Sequence, residues 1–212
     1  MKELTRTWIR KYGQPVVNWV VFFGIGRWIV VKAWGWYEAG ELFNFVEFVF
    51  LLHMLVLLVL VVIRTRHRQI DRNIFHQFIA LAAFFSGLAF VGDKTTSEAL
   101  IWSARTVTSI ALLLGILTQL NLGRSFGILI ARRKIKTDWL YGIVRHPMYV
   151  TDFLFLIGMI LKMPSWLNAA VLAFGIGCYV YRAMLEEEFL SQKEEYREYM
   201  KRVRYRFVPW IF

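Results

Sequence analysis

The chain has 212 residues, of which 58% are hydrophobic and 19% are charged, and its formal net charge is +11 at pH 7. An average soluble domain is about half apolar and about a quarter charged, so this composition favours a membrane protein. The 17% of aromatic residues excludes a disordered chain, and the single cysteine excludes both a disulfide framework and a zinc site made of cysteines.

Six apolar runs follow one another along the chain, and a transmembrane helix needs about 20 mainly apolar residues. Pro15 opens the first run at a position typical of a first helical turn. Pro164 lies between the fifth and sixth runs, which predicts a helical hairpin. The predicted spans are residues 15–31, 43–63, 73–91, 99–122, 149–161 and 166–181. We therefore expect an all-α integral membrane protein with five to six transmembrane helices, five if the hairpin does not cross fully.

Basic residues are concentrated in alternate connections between these runs. Of the 26 Lys and Arg residues, 21 lie in the N-terminal arm, the loops 64–72 and 123–147, and the tail from residue 182. The opposite connections hold only Lys32, Lys94 and Lys162. By the positive-inside rule both termini are cytoplasmic. The charge thus indicates topology rather than nucleic-acid binding, in the inner membrane of a prokaryote or the endoplasmic reticulum of a eukaryote.

The segment that joins the long basic loop to the fifth run reads Tyr-Gly-Ile-Val-Arg-His-Pro-Met-Tyr. Pro147 suits a first helical position, which places His146 near the N-cap and the positive end of the helix dipole. Together with Arg145 this predicts an anion site at the membrane edge. The rings of Tyr141 and Tyr149 can hold an apolar ring or a cation. The alternative is an ordinary interfacial belt of Arg, His and Tyr.

A second polar group continues the sixth run. Arg182 and Glu186 are four residues apart and share a helix face, and Glu187 follows. A solvated helix end with one ion pair is the alternative, but three successive carboxylates in a strongly basic tail are unusual for topology alone. Farther along, residues 196–209 are aromatic and basic, which by itself predicts a helix on an anionic membrane surface.

Polar residues inside the runs leave a transport function open, because charges in hydrocarbon usually face a partner or a cavity. They are scattered over four runs and lie mostly near the ends, which disfavours an ion pathway. These residues are Arg27, Glu47, His53, His76 and Arg105. The chain has no motif for a metal site or for a Rossmann dinucleotide site, so we expect no metal.

Taken in order, five motifs carry a family resemblance. They are Asn-Leu-Gly-Arg-Ser-Phe at 121–126, Arg-His-Pro-x-Tyr at 145–149, Arg-x-x-x-Glu-Glu at 182–187, Tyr-x-x-Tyr at 196–199 and Arg-x-x-Pro at 206–209. This half of the chain resembles the isoprenylcysteine carboxyl methyltransferase family and the wider group that includes phospholipid methyltransferases. We therefore divide the single membrane domain, 1–212, into N-terminal spans, 1–109, and a catalytic half, 110–212. The chain departs from the family at Trp139, where a glycine is usual.

The resemblance implies an S-adenosylmethionine site built from segments at the membrane edge. The cofactor-binding residues that it implies are Lys136, Tyr141, His146, Pro147, Met148, Tyr149 and Glu186. Arg145 and His146 can bind the carboxylate of the cofactor, and Glu186 or Glu187 can bind its ammonium group. Arg182 is implied as the residue on the acceptor side, so Arg182, Arg145 and Glu187 are the candidate catalytic residues.

The implied reaction is methyl transfer to a lipophilic acceptor that enters the site from the bilayer. Membrane lipids are further expected partners. A carboxylate acceptor, such as that of an isoprenylcysteine, is already a nucleophile and needs no base. An amine or thiol must first lose a proton, with help from Glu187 or His146. The alternatives are an NADPH-dependent reductase, because sterol reductases have a similar Arg-His-Pro segment, and a non-enzymatic transporter.

Overall fold

The computed structural model describes residues 2–39, 44–65 and 67–210, which are mostly helical. Over these ranges the α-helices are α1 Lys2–Ala39, α2 Phe45–Ile63, α3 Ile74–Phe85, α4 Glu98–Leu122, α5 Pro147–Lys162, α6 Trp166–Ser191 and α7 Glu194–Arg202. The predicted all-α architecture is confirmed, and each predicted span overlaps a helix. The start predicted for the second span, Phe43, lies outside the described residues.

Three helices are long and apolar enough to cross a membrane. They are Phe45–Ile63, Glu98–Ser125 and Trp166–Ser191, while Ile74–Ala89 forms a shorter apolar helix. Helix α5 has 16 residues. At 1.5 Å per residue it is about 24 Å long, less than the hydrocarbon thickness of about 30 Å. Three candidate spans thus satisfy both criteria among the described residues, and the count of five to six is not confirmed.

Short polar residues and one proline set the starts of four helices. The side chains of Asn44, Asn73 and Ser165 each accept a backbone N–H in the first turn of α2, α3 and α6. Pro147 is the first residue of α5, as its sequence context predicts. The corresponding prediction for Pro15 is wrong, since Pro15 lies inside α1. A proline removes only one helical hydrogen bond, so a long apolar helix can continue through it.

Helix α4 packs along α2 and α5, and α3 packs along α6. The contact between α4 and α5 is close because Gly158 faces Thr108. A Cβ atom at Gly158 would lie 2.2 Å from the Thr108 Oγ1 atom. Small residues allow such close approach between helices in membranes. The hairpin turn is fixed by the fully buried Asn168, which exchanges hydrogen bonds with the backbone of Val91.

The two basic loops join in a small antiparallel sheet. Strand β1, Gln69–Ile70, pairs with strand β2, Ala131–Arg132, in the register Gln69 opposite Arg132. The Gln77 side chain of α3 extends the contact, because it donates to the carbonyl of Ile130 and accepts the N–H of the same residue. These bonds hold the long loop against the ends of α3 and α6.

The C-terminal tail folds back onto the protein. Helix α7 buries Tyr196 and Tyr199, which pack with Val203 against the long loop and the end of α6. After α7 the chain runs beside the start of α5, where the carbonyls of Tyr205 and Arg206 accept backbone N–H groups. The tyrosines of this predicted surface helix therefore pack on protein, and its position on an anionic membrane surface stays a prediction. Periodicity alone cannot distinguish a protein contact from a lipid contact.

Candidate active site

A cleft lies between the long basic loop, the start of α5, the end of α6 and α7. Its cavity volume is about 130 Å³, and its mouth is open. The walls combine apolar side chains such as Leu122 and Ile130 with tyrosine rings and a few charged groups. This mixed lining is typical of a small-molecule site.

The cleft brings together most of the residues implied by the motifs. The cofactor-binding candidates that line it are Lys136, Tyr141, His146, Met148, Tyr149 and Glu186. Pro147 is buried at the first turn of α5, where it sets the position of its neighbours. Of the three catalytic candidates, Arg145 lines the cleft, whereas Glu187 and Arg182 lie behind its wall.

Glu187 is the centre of a buried ion cluster. Its side-chain oxygens accept hydrogen bonds from Arg145 Nε at 2.7 Å and Arg206 Nη2 at 2.8 Å, and His146 Nε2 lies 3.1 Å away. Only 6% of Glu187 is exposed. The Arg145 Nη1 group also donates to the carbonyl of Val203. The predicted anion site at Arg145 and His146 is thus filled by a carboxylate of the protein itself.

Glu186 lies on a different side of α6 and faces the cleft. Its Oε1 atom accepts a hydrogen bond from Arg182 Nε at 3.1 Å, which confirms the pair expected from their spacing. About 19% of the Glu186 side chain is exposed, compared with 8% for Glu187. A carboxylate on the wall of a partly apolar cleft can hold the ammonium group of a ligand.

Arg182 is enclosed by protein groups. Its Nη1 donates to the carbonyl of Ala80, and its Nη2 donates to those of Gly127 and Ile128. The guanidinium also lies over the Tyr149 ring, 5.2 Å from its centroid. With 2% exposure, Arg182 has little surface to offer a ligand in this conformation. Arg182 supports the wall of the cleft from behind, because it fixes Tyr149 and the Glu186 carboxylate.

Aromatic rings form the rest of the wall. The rings of His146 and Tyr149 stack at 5.1 Å with an interplanar angle of 12°. The Tyr199 hydroxyl donates to the Tyr141 carbonyl at 2.7 Å and so fixes the loop segment that carries Tyr141. Burial raises the pKa of Tyr199 and of Tyr141 well above that of a free phenol. Both hydroxyls therefore remain protonated near neutral pH.

Trp139 lies in the long loop at the position where the resembled family usually has a glycine. Trp139 has a φ of 52°, which is the left-handed region that glycine adopts easily. The loop thus keeps a backbone shape suited to glycine while it carries a large side chain. A non-glycine residue in that region costs about 1–3 kcal/mol and persists only where the surroundings enforce it. The hydrogen bond between the Tyr199 hydroxyl and the Tyr141 carbonyl contributes to that enforcement.

Two arginines at the site were not among the residues predicted from the sequence. Arg206 appeared only as part of a tail motif, yet it pairs with Glu187. Arg133 lines the cleft, but in the sequence it is one member of a basic run that topology already explains. Its signal is the adjacent Arg-Arg-Lys sequence, which does not distinguish a buried guanidinium from an exposed one.

Glu187→Gln removes the negative charge on which Arg145, His146 and Arg206 converge. Loss of one partner of a buried ion pair costs about 3–5 kcal/mol. We expect the free energy of unfolding in detergent micelles to fall by about that amount and limited proteolysis of the tail to accelerate. Glu188→Gln, at an exposed position on the same helix, is the control. Equal stability of the two variants would contradict the structural role of Glu187.

Comparison with known protein families gives one match. The model of the phospholipid methyltransferase family matches residues 98–197, from the start of α4 into α7. No curated protein matches the chain. The matched segment contains the long loop, the Arg-His-Pro motif and the Arg-x-x-x-Glu-Glu motif, which together provide most of the cleft. Residues 98–197 are therefore similar to the phospholipid methyltransferase family, which belongs to the group of membrane methyltransferases that includes the isoprenylcysteine carboxyl methyltransferases.

Proposed function

We propose that the protein transfers a methyl group from S-adenosylmethionine to a lipophilic acceptor at the membrane. The observation that carries the proposal is the cleft in the methyltransferase segment, with the Glu186 carboxylate on a wall of aromatic and apolar side chains. The residues present fit the cofactor. Glu186 matches its ammonium group, and the faces of Tyr141 and Tyr149 match its adenine ring or its sulfonium.

The cofactor, when bound, supplies a methyl group on a positively charged sulfur. The contribution of the chain is to position and to desolvate, since little covalent help is needed for such a transfer. The stacked rings of His146 and Tyr149 exclude water from one side, and Glu186 fixes the orientation of the bound amino group. Buried hydroxyls and the enclosed Arg182 keep these groups in place.

For the acceptor, we propose a lipophilic carboxylate such as that of an isoprenylcysteine, which needs no proton removal. The description of the matched family favours a second candidate, the amine of a phospholipid. An amine must lose its proton, and His146 is the cleft residue suited to accept it. Transfer of a tritiated methyl group to a panel of prenylated acids, phospholipid amines and lipophilic thiols distinguishes the two.

Glu186→Gln tests the cofactor site. Loss of a charge-assisted hydrogen bond in a partly buried site costs about 1.5–3 kcal/mol, so we expect affinity for S-adenosylhomocysteine to fall about ten- to a hundredfold. Calorimetry on the purified protein measures it, with Glu188→Gln as the matched control. A melting temperature raised by NADPH and unaffected by S-adenosylhomocysteine would instead indicate a reductase.

Arg182 was assigned to the acceptor side by resemblance, and its enclosure suggests an additional way to act. We propose that Arg182 positions Glu186 and Tyr149 from behind the wall of the cleft. Arg182→Lys keeps the charge but loses the forked contacts, so we expect cofactor affinity and methyl transfer to fall together. Calorimetry measures the loss of cofactor affinity, and the transfer assay measures the loss of activity in the same variant. Lost transfer with unchanged cofactor affinity would support an acceptor contact and refute the positioning role.

We further propose that both termini lie on the cytoplasmic side of the inner membrane or the endoplasmic reticulum, with the cleft open to the cytoplasm. The uneven distribution of basic residues supports this orientation. The cofactor would then enter from the cytoplasm and the acceptor from the bilayer.

Cysteine labelling in sealed vesicles tests the orientation. The native Cys178 is first replaced by alanine, and single cysteines are then introduced at Thr5, Ser97, Thr137 and Ser191. An impermeant maleimide is expected to label Thr5, Thr137 and Ser191 from one side and Ser97 from the other. Labelling of Ser97 from the same side as Thr137 would rule out this topology.

A further inference from the structure

Arg133 is a half-buried cation of the cleft that forms no salt bridge with a carboxylate among the described residues. Its Nε atom is buried and makes no hydrogen bond. The other arginine on the cleft wall, Arg145, is held by Glu187, and Arg182 behind the wall is held by Glu186. Partial burial of a charge without a salt bridge is unfavourable, which points to an anionic partner from outside the chain.

The backbone of the long loop makes room for this guanidinium. A Cβ atom at Gly127 would lie 1.9 Å from Arg133 Nη1 and 2.4 Å from Cζ, so only glycine permits the observed position. The Gly127 carbonyl also accepts a hydrogen bond from Arg182, which in turn holds Glu186. The loop segment at Gly127 thus helps to position both Arg133 and Glu186, and both side chains line the cleft.

The charge state of Arg133 suits an anionic ligand. Burial, with repulsion from Arg182, lowers its pKa to about 10 even though Glu186 acts in the opposite direction. The group therefore remains charged near neutral pH. A ligand with an anion alone, such as a phosphate, would be repelled by Glu186. A ligand with a carboxylate and an ammonium group on one carbon atom matches both side chains at once.

We propose that the Arg133 guanidinium binds the carboxylate of the amino-acid end of S-adenosylmethionine while Glu186 binds its ammonium group. This inference rests on the proposed function and replaces Arg145 and His146, which Glu187 already occupies, as the carboxylate site. A guanidinium can bind a carboxylate through two parallel hydrogen bonds, which fixes orientation as well as affinity. Arg133 thereby contributes to the direction in which the reactive sulfur faces.

The test compares two ligands that differ only in the carboxylate. Calorimetry is performed with S-adenosylhomocysteine and with its decarboxylated analogue on wild type and on Arg133→Gln. We expect wild type to prefer S-adenosylhomocysteine by about ten- to a hundredfold. In Arg133→Gln we expect that preference to fall to about twofold or less, while affinity for the decarboxylated analogue is unchanged. Arg72→Gln, at an exposed position outside the lining of the cleft, is the matched control.

A second variant tests the position of the guanidinium without removing it. Gly127→Ala places a methyl group where the guanidinium lies, so we expect the same selective loss for the carboxylate ligand. A full preference retained in Arg133→Gln would overturn the inference and leave the proposed function intact. Equal loss for both ligands in Arg133→Gln would also overturn it, because it would indicate a structural role. No binding of either ligand to folded wild type would instead refute the proposed function.

Discussion

The arrangement of the cleft depends on one buried guanidinium. Arg182 donates to carbonyls of α3 and of the long loop, pairs with Glu186 within α6, and lies over a ring of α5. Four segments distant in sequence are thus connected through one planar, permanently charged group. A planar fork of five donors can satisfy several carbonyls at once, which a lysine cannot do. The carbonyls of an irregular loop would otherwise be unpaired beside apolar helices, and this would be costly in a membrane protein.

Adjacent carboxylates perform opposite tasks in this arrangement. Glu187 faces the tail and neutralises a cluster of cations, whereas Glu186 faces the cleft. Successive helical residues differ by about 100° around the axis, so one short acidic run can supply both a structural anion and a ligand-facing one. This division explains why a strongly basic segment contains three successive acids. One of them is required by the fold, another faces the candidate site, and the third is exposed.

Local features of the fold were predictable, while the partners of its charged groups were not. Apolar runs located the helices, Pro147 marked the start of α5, and a spacing of four gave the pair of Arg182 and Glu186. These depend on neighbours within one or two turns. Arg145 meets Glu187 across 42 positions, a separation that no local pattern encodes. The same holds for Arg133, whose burial depends on the fold of the whole loop.

The return of the tail to the start of α5 has a consequence for biosynthesis. The N–H groups of Arg145 and His146 bond to the carbonyls of Tyr205 and Arg206, which the ribosome adds about 60 residues later. Until that segment leaves the exit tunnel, the helices can insert in the membrane but the cleft lacks one wall. A nascent chain without this segment therefore cannot enclose a ligand in the cleft. Competence for ligand binding arises only after the tail has been synthesised and has folded back onto the start of α5.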